Sequence, residues 1–154
     1  MGAIYTAQFN GVAVTAQQDL FEIVAPSAQR VVLHCLELSQ TTEVGDAQEE
    51  DLLILIKRGQ TTSGSGGSSY TAVPTDALWP AAGSTCEVNN TTKATAGTIV
   101  TIRPDSWNVR NGYIWLPPPE LRITVGGGVR ATVELASTPA DSITMNGCLW
   151  FEEL

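Results

Sequence analysis

Positive charge is scarce in this chain. Its 154 residues carry 8 Lys and Arg against 16 Asp and Glu, for a net charge of −8, and only Lys57 and Arg58 stand side by side. A protein that grips phosphates needs a clustered basic footprint to displace counterions, so no nucleic-acid partner is expected. Histidine is scarcer still: His34 is the single one. A Ser-His-Asp or Cys-His device would need it as the base. It sits inside a strand-like run, where the side chain of its neighbour Cys35 points to the opposite face. His34 therefore reads as a hydrogen-bonded strand residue, and no catalytic residue is expected.

Cysteine is sparse as well. The 3 cysteines, Cys35, Cys86 and Cys148, are an odd set without paired spacing, which excludes a disulfide framework and the C-x-x-C form of a zinc site. Cys35 and Cys148 read as small buried hydrophobes made in a reducing cytoplasm. No apolar run approaches the ~20 residues of a membrane helix, so no membrane partner is expected. Residues 1–10 have neither the basic start nor the apolar core of a secretory leader. Residues 1–6 match the loose myristoylation pattern, but they also open a strand, which is the preferred reading. Acidic residues crowd one turn at Glu43, Asp46, Glu49, Glu50 and Asp51. Their order lacks the offsets of a calcium loop, so this is a solvated turn with no metal. Gly126–Gly128 lacks the order of a dinucleotide fingerprint and has a strand after it, so no cofactor is expected there.

What the chain does have is alternation. Residues 4–9 alternate Tyr5, Ala7 and Phe9 on one face and turn at Asn10 and Gly11. Further strands are expected at 19–24, 30–40, 52–58, 70–75, 98–103, 107–116, 122–125, 129–136 and 142–151, with turn residues between them. In 30–40 the pattern assigns Val32, His34, Leu36 and Leu38 to one face, and Val31, Leu33 and Cys35 to the other. In 129–135, Val129, Ala131, Val133 and Leu135 are assigned inward. Leu52–Ile56 is apolar at every position, the signature of a strand covered on both faces. No helical period persists over three turns. The expected fold is all-β: one antiparallel β-sandwich or jelly roll spanning 1–154. Residues 60–69 are rich in Gly and Ser and are expected to form a flexible surface loop.

The stretch 105–120 is rich in large aromatics, with Trp107, Tyr113 and Trp115 close together. Trp107, Asn108, Arg110, Tyr113 and Trp115 mix rings with Arg and Asn, the composition of interface anchors. They are the candidate contact residues, against the alternative of a tryptophan cluster in the core.

The strings QDLFEI (18–23), LELSQTTEVGDAQEEDLLILIKRGQTTSGSGGSS (36–69), EVNNTT (87–92) and WNVRNGYIWLPPPE (107–120) resemble a family of small tailed-bacteriophage virion structural proteins, over nearly the whole chain. The resemblance implies a virion component and not an enzyme. A capsid decoration or cement protein on the outside of the head follows as the expected role, with the major capsid protein and further copies of itself, as a homotrimer, for partners. A tail or tail-tip subunit and a carbohydrate-binding module on the virion are the alternatives.

Overall fold

The computed structural model describes residues 2–42 and 49–154, and the candidate acidic residues Glu43 and Asp46 lie outside them. Among the described residues, twelve strands form two sheets. In chain order they are β1 (Ala3–Val14), β2 (Gln18–Val24), β3 (Val31–Gln40), β4 (Asp51–Thr62), β5 (Ser68–Tyr70), β6 (Val73–Pro74), β7 (Thr85–Asn90), β8 (Thr95–Asn108), β9 (Tyr113–Trp115), β10 (Ile123–Val125), β11 (Arg130–Leu135) and β12 (Ile143–Glu153). One sheet runs β10-β3-β12-β1-β6, with β9 also paired to β3, and the other runs β5-β7-β2-β11-β4-β8. Pairing is antiparallel throughout the described residues. The first four strands alternate between the sheets, so neighbours in sequence face each other across the core. The fold is the expected β-sandwich.

Both inner faces supply the core. Tyr5, Phe21, Leu36, Ile54, Trp107 and Phe151 are each no more than 2% exposed. Tyr5 stacks on Phe151 with ring centroids 5.7 Å apart, and Phe9 meets Phe21 at 5.2 Å. The Phe9 ring lies directly over Gly147: a Cβ there would sit 2.6 Å from the ring edge. Only glycine leaves room for that packing.

Three expectations are corrected. In β4, Leu52, Ile54 and Ile56 are buried, whereas Leu53 is 37% exposed and Leu55 half-buried. The strand is covered on one face only. In β3, Val31, Leu33, Leu36 and Leu38 share the core. Leu33 pairs with Phe151 but Cys35 with Trp150, so β3 carries one extra residue there. Such a bulge flips the alternation beyond it. Finally, 60–69 is built into the second sheet. β4 continues to Thr62, Ser68–Tyr70 pairs with β7, and Ser65 and Thr92 exchange two backbone hydrogen bonds of 2.9 Å. Gly66 has φ +86° and a Cβ on Gly67 would lie 2.2 Å from the Val88 carbonyl. The glycines here permit close backbone approach rather than looseness.

Candidate interaction surface

The aromatic stretch divides into core and rim. Trp107 ends β8 with its ring buried, and its Nε1 donates to the Asn111 carbonyl at 2.7 Å. Trp115, on β9, is 6% exposed beneath the guanidinium of Arg103, which stands 5.9 Å above the ring. Trp107 offers no free face to a partner, a correction to its reading as a contact anchor, and Trp115 offers only the edge that lines the neighbouring groove. Large aromatics gain most by entering the core, and a chain that crosses between sheets at this turn carries both rings inside. Asn108 accepts the Arg110 backbone N–H at 3.1 Å, which shapes the turn, and Arg110 is exposed. Tyr113 is half-buried and its hydroxyl donates to Asp105 at 2.9 Å. Burial, then the hydrogen bond to Asp105, pushes that phenol up to about 12. Burial alone would raise Asp105, but its hydrogen bonds from Tyr113 and Arg103 outweigh this and hold it below the usual carboxylate range. The rim thus carries a fixed Arg103–Asp105–Tyr113 network.

Beside this network lies a groove of about 480 Å³, lined by Ile102, Pro104, Trp115, Pro117, Leu121 and Ile123, with Arg103 at its edge. Leu121 is 69% and neighbouring Leu116 66% exposed. The groove opens onto β8, the terminal strand of its sheet, which among the described residues pairs only with β4. Residues 95–101 of β8 are all exposed, Ile99 and Val100 by 43% and 44%. A strand edge of this kind presents a row of unpaired backbone donors and acceptors. Sequence reasoning saw the strand at 98–103 but not that it is an edge; the uncharged β-branched run Thr98–Ile99–Val100–Thr101–Ile102 is the one signal present.

Elsewhere, polar side chains are spent on stitching the body. Glu22, 3% exposed, accepts from Ser63 (2.6 Å), Gly64 (2.9 Å), Asn90 (3.2 Å) and Arg130 (2.5 Å). Glu134 receives Lys57 and Lys93. Burial would raise its carboxyl, but the two lysines outweigh that and lower it. Asp19, 2% exposed, accepts the Ala94 N–H at 2.7 Å, and burial pushes it up to about 6. His34 meets Glu152 at 2.9 Å, so the expected hydrogen-bonded strand histidine is what the structure contains. Burial raises all three thiols, Cys86 to about 12 and Cys148 to about 11, which keeps them protonated. Of the acidic turn, Glu50 accepts the Ala140 N–H at 2.9 Å. Among the described residues no three His, Cys, Asp or Glu side chains gather as metal ligands, and no helix is long and apolar enough to cross a membrane.

Comparison with known protein families, with characterised proteins and with solved structures finds no match to this chain.

Proposed function

We propose that this protein is a non-catalytic structural component of a bacteriophage virion, a decoration protein that docks on the outside of the head and ties neighbouring subunits of the major capsid protein together. The observation that carries the reading is the uncovered edge of β8 with its adjoining apolar groove. A long open edge is a liability in a free protein and is usually blunted by charge, proline or a covering loop. Over 95–102 it has no charge and no proline, and its blunting among the described residues is limited to two register shifts against β4, between Arg103 and Thr101 and between Val100 and Gly97. Such an edge is suited to a partner that completes the sheet. The sequence resemblance to tailed-phage structural proteins supports the same reading. So does the −8 net charge, which fits a station outside the shell, away from packaged DNA.

A β-sandwich with a docking edge also suits a tail subunit, the principal rival. The carbohydrate-binding reading rests on exposed ring platforms, and the burial of Trp107 and Trp115 removes two of them. Reconstruction of purified particles decides the matter. The expected result is density for many copies on the head exterior, in clusters of three, that disappears when the protein is deleted. Density on the tail alone would transfer the assignment to the tail rival, and absence from the particle would refute both.

A further inference from the structure

We infer that the outer face of the sheet built on β1, β12, β3 and β9 is a binding cleft for a neutral oligosaccharide, which lies across those four strands. The inference goes beyond the structural role proposed above and does not depend on the β8 edge.

Strand register builds the cleft. Gln8 pairs with Cys148, Cys148 with Glu37, and Glu37 with Ile114, so one row of side chains crosses four strands. At about 4.8 Å between strands the row spans ~14 Å. Asn146 and Ser39 pair in the adjoining row, and Asn10 stands at the bulge that interrupts β1 between Phe9 and Val12. The strand neighbours Phe9, Leu38 and Leu149 are buried, which turns the cleft residues away from the core. The volume enclosed is about 740 Å³, within the usual range of small-molecule sites. Trp150, one row further along β12, is half-buried, and its Nε1 donates to Glu37 at 2.9 Å.

The two outer faces of the sandwich differ in chemistry. On the other sheet Glu22, Thr132 and Glu134 are buried and bonded to Ser63, Gln60, Lys57 and Lys93. Here Gln8, Asn10 and Ser39 are exposed, and among the described residues their side chains enter no hydrogen bond. Asn146 commits only its Oδ1, to the Gly11 N–H at 2.9 Å, so its NH2 stays free to donate. Amides and hydroxyls both donate and accept, as sugar hydroxyls do, and a rigid sheet fixes their spacing. Ile114, 62% exposed, and Trp150 add apolar surface at the margins for the C–H face of a sugar ring. Other ligands fit less well. The described lining holds no cation, so phosphates and nucleic acids find no counter-charge. Its one carboxylate, Glu37, is too few ligands for a metal ion. The centre of a protein interface is apolar and aromatic, whereas the middle row here is Gln8, Cys148 and Glu37. A second copy meets the same objection and adds the repulsion of two bodies of charge −8.

The test is binding of the purified protein to an array of neutral hexose and N-acetylhexosamine oligosaccharides, followed by titration of the best of them. Expected is a dissociation constant of about 1 mM or tighter, the same at low and high salt because no ion pair forms. The side-chain amide NMR signals of Gln8, Asn10 and Asn146 should shift on titration. Q8A/S39A, at two exposed positions, should weaken binding roughly ten-fold through two lost hydrogen bonds, at unchanged melting temperature. Leu78→Ala, 92% exposed and on no strand, should bind normally. No binding at about 1 mM, a preference for acidic glycans, NMR shifts confined to other residues, or full affinity in Q8A/S39A would each overturn the inference. So would self-association in sedimentation that Q8A/S39A abolishes, because it would give the face to a second copy. The two proposals fail separately. A protein that binds the array but is absent from the particle keeps the cleft and loses the virion role; a particle-bound protein blind to the array does the reverse.

Discussion

Replacing Asp19 by Asn should stabilise the protein, and only above about pH 5. The Asp19 carboxyl lies under the 91–94 turn, 2% exposed, and its Oδ2 accepts the Ala94 N–H. Burial is the main cause that raises it from 3.8 to about 6; the Ala94 hydrogen bond opposes this, Glu134 and Glu22 add to it, and Lys57 opposes it. A raised folded value means that the native state holds the proton more tightly than the unfolded chain. The contribution of Asp19 to stability is therefore fully present below about pH 4 and is lost as the pH rises through about 6. A difference of about two units at 1.36 kcal/mol each amounts to about 3 kcal/mol at neutral pH. Asparagine keeps an oxygen for the Ala94 N–H and cannot ionise. Allowing for imperfect fit of the amide, Asp19→Asn should gain about 1–3 kcal/mol at pH 7.5, and about zero at pH 4. At roughly 2–4 °C per kcal/mol for a domain of this size, melting should rise by about 2–12 °C at the higher pH. Urea unfolding of both proteins across pH 4–8 measures the difference directly. An equal effect at pH 4 and pH 7.5, or a loss at pH 7.5, would refute the reasoning, because it would mean that the carboxylate is solvated or paired in the native state.

Two further outcomes are expected. Excision of residues 63–67 should cost about 2–4 kcal/mol, since Glu22 loses its Ser63 and Gly64 donors while remaining buried; a loss under 1 kcal/mol in urea unfolding, the scale of loop closure alone, would show that the segment is not part of the sheet. Trp115→Ala should destabilise the isolated protein by about 3–5 kcal/mol through the cavity it leaves, whereas Arg110→Ala, at an exposed turn, should change stability by less than about 1 kcal/mol; thermal melts of the two variants, falling in the opposite order, would place Trp115 at the surface.

Much of the local structure was legible in the residues. Alternation in 4–9 and 129–135 put Tyr5, Phe9, Ala131, Val133 and Leu135 in the core, where they are found, because a two-residue period turns alternate side chains of a pleated strand to one face; in 129–135 the other face is covered too, with Thr132 and Glu134 buried. That His34 lies in a strand was readable from the apolar run around it, but the face it takes was not, because the bulge in β3 falls there. Composition and period together were enough for the fold class: little charge, alternating strands with frequent turns and no sustained helical period leave a sandwich as the way to bury the apolar faces.

What composition and period could not decide is which strand lies beside which. The slip of one residue at Cys35 is a consequence of pairing with β12, and it exchanges the two faces of β3 without any change in the local pattern. Glycine and serine at 60–69 suit a free loop and a tightly packed strand crossing equally well, since the absence of a side chain permits both; the neighbouring backbone of β7 selects the second. Trp107 and Trp115 carry the composition of an interface, yet the crossing from one sheet to the other at residues 109–112 turns both inward. The uncharged β-branched run at 98–102 marks a strand but not whether that strand lies at an edge. An edge is defined by a strand that is not there, and only the order of the sheets reveals it.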